Sequence, residues 1–346
     1  MIVAVGLSGG VDSSVAAAML REQGHTVIGV TMKLWREGRY RGGERDACFG
    51  PGEAEDIAAS EALCRKLGIE YHVFDCADEY EAVVLNYFRS EYLAGRTPNP
   101  CVRCNALMKF GVLPNLARKS GIAFDRFATG HYARIREEDG VFHLLRGADE
   151  KKDQSYFLYR LKQAQLKQMM FPLGDYRKTQ VRELAAKYGL DVKDKPDSQD
   201  FYSGDHVELL NAPPRRGNIV DTAGNILGTH EGFWNYTVGQ RRGLGIAAKR
   251  PLYVLEVNAC RNEVVVGSQE DTVQRELKLV DCSWITSEPD GEVQAKARSA
   301  SNLVPAVYHK GTLVFPDGVF AAAKGQSAVL YRGDELLGGG IIMETK

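Results

Sequence analysis

The chain has no apolar run approaching the roughly 18 residues of a membrane-spanning helix. No membrane partner is expected. It shows no internal repeat and no low-complexity tract, which excludes solenoid and disordered-tail architectures. The start of the chain carries neither a basic region nor a cleavage site before its first strand pattern, so a cytoplasmic location is expected. Seven cysteines (Cys48, Cys64, Cys76, Cys101, Cys104, Cys260 and Cys282) are an odd number in a chain of 346 residues. That disfavours a disulfide framework and leaves catalysis, metal binding or plain burial. There is one Cys-x-x-Cys and no His-x-x-x-His, so nothing completes a four-ligand zinc knuckle. A formal net charge of -1 neither advertises nor excludes an RNA partner, and local patches must decide. The length suits two or three domains.

What is present begins with Ser8-Gly-Gly-Val-Asp-Ser-Ser14, between the apolar run Ile2-Val-Ala-Val5 and the helical run Val15-Ala-Ala-Ala-Met-Leu20. Gly9 and Gly10 let the backbone approach an anion, and a helix starting near Ser13 adds free N–H groups and a positive dipole end. Asp12 or Ser13 is expected to cap that helix. Without a Gly-Lys-Ser/Thr ending this is not a Walker A loop. It resembles the SGGxDS loop of the ATP pyrophosphatases (PP-loop enzymes), which split ATP into AMP and pyrophosphate while activating a substrate oxygen. An ordinary strand-to-helix turn is the bland alternative, but it needs fewer glycines and serines.

The first 200 or so residues alternate strand patterns (Ile2–Gly6, Thr26–Met32, Tyr71–Phe74, Arg126–Thr129) with helical ones (Ser13–Gln23, Gly52–Leu67, Tyr80–Ala94, Lys178–Tyr188). That predicts an α/β domain with a parallel, Rossmann-like sheet, ligands binding at its carboxyl edge. Around Asn211-Ala-Pro-Pro-Arg-Arg-Gly-Asn218 the texture changes to short strand patterns separated by Gly, Asp and Asn. A charged stretch near Gly267 to Glu276 offers a second break. We therefore expect an α/β domain over 1–207, a small central β-rich domain over 208–272, and a C-terminal β-barrel over 273–346.

Three further stretches carry chemistry. Thr97-Pro-Asn-Pro-Cys-Val-Arg-Cys-Asn105 places Cys101 and Cys104 three residues apart beside two prolines that stiffen the approach, in a stretch whose flanking residues look exposed, with Arg96, Arg103 and Lys109 near enough to favour thiolates. Such a pair can be a redox dithiol or part of a metal or iron-sulfur site; two stray buried cysteines are the alternative. Ala128-Thr-Gly-His-Tyr-Ala-Arg134 ends a strand and puts Gly130 and His131 on the same carboxyl edge as the glycine loop. Lys151-Lys-Asp-Gln-Ser-Tyr-Phe157 is either a solvated face or a phosphate contact. Gly232-Phe-Trp-Asn-Tyr-Thr-Val-Gly-Gln-Arg-Arg-Gly-Leu-Gly-Ile246, with Arg215, Arg216, Lys249 and Arg250, interleaves aromatics and cations as an RNA surface would. Arginines that merely solubilise a β domain would look the same.

In order along the chain, Gly6-Leu-Ser-Gly-Gly-Val-Asp-Ser13, Ala94-Gly-Arg-Thr-Pro-Asn-Pro-Cys101, Ala128 to Arg134, Lys152-Asp-Gln-Ser-Tyr-Phe157, Tyr236-Thr-Val-Gly-Gln-Arg-Arg-Gly-Leu-Gly245, Gly325-Gln-Ser-Ala-Val329 and Leu337-Gly-Gly-Gly340 resemble the MnmA/TrmU family, the tRNA-specific 2-thiouridylases. The resemblance implies adenylation of the C2 oxygen of a wobble uridine by ATP with Mg2+, then replacement of that oxygen by sulfur. It implies ATP contacts at Gly6, Leu7, Ser8, Gly9, Gly10, Val11, Asp12, Ser13, Met32 and Gly130. Asn99, Pro100 and Cys101 would lie beside the target base. Cys104 would be the nucleophile, with Cys101 and Asp12 as further catalytic groups. His131, Lys152, Asp153, Gln154, Arg298, Ser299 and Gln326 match positions that touch tRNA.

One departure matters. Family members usually carry a second catalytic cysteine, the persulfide carrier, where Asp197-Ser-Gln-Asp-Phe-Tyr-Ser-Gly204 places Tyr202. A tyrosine cannot hold a persulfide. Two routes stay open for sulfur from sulfide or a persulfide donor: Cys101 and Cys104 act as carrier and resolving thiol in either order, or both join Cys48, in the polar segment Arg45-Asp-Ala-Cys-Phe-Gly50, as ligands of a four-iron cluster, by analogy to other tRNA-thiolating relatives. The cluster is the leading expectation, with Cys48 as an ordinary loop thiol close behind it. Cys64 reads as core. Two other functions remain: a PP-loop synthetase using an amine nucleophile, which leaves the thiols unexplained, and a tRNA-binding homologue that has lost turnover, which leaves the intact glycine loop unexplained.

Overall fold

The computed structural model describes residues 1–43, 47–190 and 200–346. Arg45 and Asp46, and the part of the Tyr202 segment from Asp197 to Gln199, lie outside the described residues. The described chain divides into two compact units, one of Met1–Leu85, Pro100–His206 and Asp334–Leu336, the other of Asn86–Asn99, Val207–Gly333 and Leu337–Lys346. No helix among the described residues is long and apolar enough to cross a membrane.

The first unit is built on a five-stranded parallel sheet in the order Glu70–Asp75, Thr26–Lys33, Ile2–Gly6, Arg126–Ala128, Met169–Met170. The expected α/β fold is therefore present. Val3, Ala4 and Val5 are fully buried, as the near-continuous apolar sequence of a sheet covered on both faces requires. Helix Val11–Glu22 packs its alanine-rich side into the same core with Leu63, Cys64 and Leu67 of helix Glu53–Leu67, and with Val181 and Ala185 of helix Lys178–Lys187. Cys64 is core, as expected.

Two departures from the sequence pattern shape the site. The expected helix over Tyr80–Ala94 is interrupted, running as Ala77–Tyr80, a π-helical turn at Glu81–Leu85, and Asn86–Leu93. The stretch carrying both thiols is no exposed loop. It is helical from Pro100–Arg103, through π-helical Cys104–Val112, to Leu113–Lys119, with Pro98, Asn99, Pro100 and Val102 buried. Pro100 at the first helical position suits its fixed φ and missing donor. The buried positions Val102, Ala106, Phe110, Leu113 and Ala117 recur at three- and four-residue spacing, so the helix rather than the prolines governs the segment. π-Turns of this kind often mark functional segments.

The second unit holds a four-stranded sheet, ordered Ile226–His230, Gly217–Val220, Glu263–Gly267, Tyr253–Asn258. It also holds a six-stranded barrel, Val273–Trp284, Thr312–Phe320, Val304–His309, Gly291–Lys296, Ser327–Arg332 and, from Leu337 onward, Glu335–Thr345, closed where the first strand pairs with the last. The barrel expected at the C-terminus is present. Its interior is apolar, with Leu277, Tyr308, Leu313, Phe315, Leu330 and Ile342 fully buried.

Candidate active site

The glycine loop lies at the carboxyl edge of strand Ile2–Gly6. Gly9 has φ +67°, and a Cβ there would come within 2.7 Å of the Asp56 backbone, so glycine is required twice over. The helix begins at Val11, two residues before the expected start, with Gly10 as its N-cap and no side-chain capping bond. Asp12 and Ser13 do not cap it. The Ser13 hydroxyl lies 3.3 Å from the Gly10 carbonyl and accepts the Ser8 backbone N–H at 3.2 Å, while the Ser14 hydroxyl donates to the Gly10 carbonyl at 2.8 Å. These bonds fix the turn, and the helix dipole behind it favours an anion.

Asp12 is engaged by a residue that the sequence pattern did not single out. Lys178, only 7% exposed, donates to Oδ1 at 2.7 Å and Oδ2 at 2.9 Å of Asp12, and the Tyr132 hydroxyl donates to Oδ1 at 2.9 Å. No local motif announces Lys178; only the fold brings the start of its helix beside the loop. Gly130 closes the other side, since a Cβ on it would stand 2.6 Å from both the Asp12 carbonyl carbon and the Ser13 nitrogen. Met32 lies near the carboxyl end of its strand, paired with Phe74.

The next residue reaches a second centre. His131 packs on Phe110, ring centroids 5.5 Å apart, and on Phe171 at 6.0 Å, and its Nδ1 shares a 2.7 Å hydrogen bond with the Thr129 hydroxyl. Burial, with the nearby Lys109 charge, holds its pKa well below the ordinary histidine range, so its ring stays neutral. Phe110 belongs to the helical run that carries Cys104 and Lys109. One short loop therefore touches both the phosphate cradle and the thiol helix.

The Lys109 ammonium feels Cys48, Cys101 and Cys104. Burial works against the Lys109 ammonium, but these three thiols together hold its pKa above the ordinary lysine range. The same three act on the buried Tyr80 hydroxyl, whose pKa is raised first by burial. The expectation that nearby cations make Cys101 and Cys104 thiolates is corrected. Burial, then Cys48 and Cys104, pushes Cys101 up to about 12, and burial pushes Cys104 up to about 11 against the pull of Lys109. Arg96 is committed to Glu91 at 2.6 and 2.7 Å, and Arg103 donates to the Val83 carbonyl at 2.7 Å. Among the described residues no three His, Cys, Asp or Glu side chains come together as a group that could hold a metal ion. Cys48, Cys101 and Cys104 thus do not form a site for a single metal ion.

Tyr202 is a structural pillar. Its strand Asp200–Tyr202 runs parallel to Ala47–Phe49 with Phe49 opposite Tyr202. The fully buried ring packs 5.8 Å from Phe49, which meets Trp35 and Tyr80 at 5.1 Å each, and the Tyr202 hydroxyl accepts the Gly42 N–H at 3.2 Å.

The residues expected to meet tRNA separate into two kinds. The Asp153 carboxylate accepts the Gly147 and Ser155 N–H groups at 3.1 Å each, and Gln154 accepts the Tyr132 N–H at 3.0 Å, so both organise the turn that presents half-buried Lys152. In the second unit Arg298 donates to the Val238 and Ala321 carbonyls, and Gln326 to the Thr97 and Pro98 carbonyls at 3.3 and 3.2 Å. Ser299, Arg215, Arg216, Arg241, Arg242, Lys249 and Arg250 are exposed, whereas Phe233 and Trp234 are buried and offer no stacking face.

Residues 1–202 match the family model of the tRNA methyl transferase HUP domain, 210–268 that of the tRNA methyl transferase PRC-barrel domain, and 274–342 that of the aminomethyltransferase beta-barrel domain. A parallel sheet with a phosphate loop at its carboxyl edge, followed by β-rich modules, defines a PP-loop, ATP-using tRNA-modifying protein. The chain is 44% identical to the tRNA-specific 2-thiouridylase MnmA of Endomicrobium trichonymphae, over 99% of each chain. It is 43% identical to tRNA-specific 2-thiouridylase MnmA 2 of Clostridium botulinum strain Loch Maree, over 99% of this chain and 98% of that one. A Clostridium perfringens tRNA-specific 2-thiouridylase MnmA is 42% identical over 98% of each. The chain belongs to the MnmA family of tRNA-specific 2-thiouridylases.

Proposed function

We propose that this protein is an ATP-dependent tRNA-uridine 2-sulfurtransferase that releases AMP and pyrophosphate. The C2 oxygen of a wobble uridine attacks the α-phosphorus of ATP, pyrophosphate leaves, and sulfur then displaces AMP from C2. The observation that carries this reading is the Gly130-His131 pair, with Gly130 against Asp12 and Ser13 of the phosphate cradle and His131 against the thiol-bearing helix. Such contiguity suits a reaction whose nucleotide step makes the leaving group for the sulfur step. An amine-using synthetase would need the cradle but not the thiols.

In this reading Gly6 to Ser13, Met32 and Gly130 receive ATP. Mg2+ comes with the phosphates and needs only one protein carboxylate, for which Asp12 is placed. Lys178 and Tyr132 hold that carboxylate in position until the nucleotide arrives. Cys104 and Cys101 deliver sulfur. Asn99 and Pro100 frame the base; His131, Lys152 and Ser299 meet tRNA, with Asp153, Gln154, Arg298 and Gln326 holding the turns that do so. Catalysis is assigned to 1–207, RNA binding to 208–272 with help from the barrel over 273–346, and the compartment to the cytoplasm.

Mass spectrometry of tRNA nucleosides after incubation with ATP and either sulfide or a persulfide donor tests the reading. The expected product is 2-thiouridine, formed with tRNA-dependent release of AMP. Pyrophosphate release that responds to a small acid or amine instead of tRNA would overturn it.

A further inference from the structure

A nucleoside triphosphate brings several negative charges to its site, yet the loop that receives it here, Gly6 to Ser14, contains no lysine and no arginine. Backbone N–H groups and a helix dipole supply only partial charge. Negative charge also grows on the pyrophosphate as it departs, and a fixed cation is what stabilises it best. That cation must reach the loop from elsewhere in the fold.

Lys178 does so. Its ammonium lies 2.7 Å from Oδ1 and 2.9 Å from Oδ2 of Asp12, in the first turn of helix Val11–Glu22, and 5.8 Å from the centroid of the Tyr132 ring. The backbone behind it is fixed. The Lys178 N–H donates to Asp149 Oδ2 at 2.9 Å, the Arg177 N–H to the Gln180 side chain at 2.8 Å, and Val181 and Ala185 anchor the helix in the core. On that fixed base, four methylenes let the ammonium turn from one anion of the loop to another without moving the main chain. Taking an ammonium out of water is costly, and a triphosphate offers it more opposite charge than the single, partly wetted Asp12 carboxylate does.

We infer that Lys178 is a phosphate-binding residue, which leaves Asp12 for the β- and γ-phosphates of ATP and stays with the pyrophosphate as it departs. This rests on the ATP-using reading and adds to it the group that meets the leaving phosphates. When the uridine oxygen attacks the α-phosphorus, the bond from that phosphorus to the bridging oxygen breaks, and its electron pair goes to the pyrophosphate that the ammonium faces. Lys178 gives up no proton and takes none. Asp12, in turn, is released to serve the nucleotide. The competing view is that Lys178 only staples its helix to the loop.

Titration of the full-length protein with inorganic pyrophosphate, followed by phosphorus NMR in EDTA so that no metal bridges the partners, separates the two. A staple predicts that Asp12→Asn and Lys178→Met both weaken pyrophosphate binding, and that the second change adds little to the first. A phosphate ligand predicts opposite signs. Asp12→Asn should tighten binding, because it frees the ammonium and removes a like charge. Lys178→Met should weaken binding roughly tenfold or more in the wild-type and in the Asp12→Asn background alike, as loss of a charged hydrogen-bond donor does. The double variant leaves no unpaired charge behind, so it reports on binding even where Lys178→Met alone folds poorly. Weaker binding in Asp12→Asn, or no further loss on adding Lys178→Met to it, overturns the assignment. Wild-type protein that binds no ATP even with Mg2+ overturns the ATP-using reading itself, so the two failures are distinguishable.

Discussion

The phosphate cradle and the thiol centre lie in one compact unit but are built on opposite plans. The cradle comes from one continuous stretch whose backbone and hydroxyl groups are bonded to one another, with Ser8 at the surface and Ser13 and Ser14 buried behind it. It is complete before any ligand arrives, as an anion site made from fixed dipoles should be. The thiol centre is assembled from strand Ala47–Phe49, the helical run from Pro100 to Val112 and the aromatic wall of Tyr80. Burial holds two of its thiols in the unreactive protonated form. One half is set by bonds within a single stretch; the other holds its thiols protonated by burial.

The most direct way to break this contrast is to measure thiol reactivity against pH. With Cys104 at about 11, roughly one molecule in a thousand carries its thiolate at pH 8. Alkylation of Cys104 in the free protein should then rise about tenfold per pH unit up to about pH 10, or roughly 500-fold from pH 8 to 11. The stability consequence has the same origin. Cys104 binds its proton more tightly folded than unfolded, so its contribution is present below the unfolded value near 9 and is lost as pH rises toward 11. Fast alkylation of Cys104 at pH 7, followed by peptide mass spectrometry, would show that the centre is already switched on.

The cradle is tested by Gly130→Ala. The new Cβ would sit 2.6 Å from the Ser13 nitrogen, and main chain cannot yield as a flexible side chain does. Displacing the first helical turn by a fraction of an ångström should lower tRNA-dependent AMP formation by about 10²-fold. AMP formation at the wild-type rate would deny the cradle its rigidity.

How much of this was legible without coordinates follows the same division. Strand Ile2–Gly6, the glycine loop and its helix stand in one window of sequence, so period and composition revealed them, and only the helix start and its capping were misplaced. The thiol helix was read as an exposed stretch because its flanking Pro-Asn-Pro and polar residues look solvent-facing, whereas Pro98, Asn99 and Pro100 are buried and Pro100 starts the helix. Neither the Lys178–Asp12 pair nor the Ala47–Phe49 pairing could be seen, since each joins residues far apart in sequence. Tyr202 was legible as a missing thiol but not as a pillar of the aromatic core. Identity gives chemistry that is lost; packing alone shows what replaced it.

A smaller effect sharpens the cradle's side. Lys178→Ala leaves the Asp12 carboxylate, about a quarter exposed at 27%, with only the Tyr132 hydroxyl among its partners described above. Losing one member of a largely buried pair should cost about 2 kcal/mol, less than for a fully enclosed pair because water reaches Asp12. Urea unfolding measures this. Lys178→Ala/Asp12→Asn should recover much of the stability without recovering ATP turnover, which separates holding the loop from serving the nucleotide.

The smallest expected effect concerns RNA, where the second unit offers two kinds of arginine. Arg241 and Arg242 are exposed, and replacing either by alanine should leave folding unchanged while lowering the salt dependence of tRNA binding by about one phosphate contact, a slope change of roughly 0.7 to 0.9. Arg298 is half-buried and spends its guanidinium on the Val238 and Ala321 carbonyls. Its alanine variant should lower the melting temperature and weaken binding at every salt concentration with the slope kept, because the carbonyls lose their donor and no phosphate loses its cation. Fluorescence anisotropy of labelled tRNA over a salt series distinguishes the two. An Arg298→Ala slope that falls as Arg241→Ala does would make Arg298 a direct phosphate contact, and the clamp a consequence of the RNA-free state.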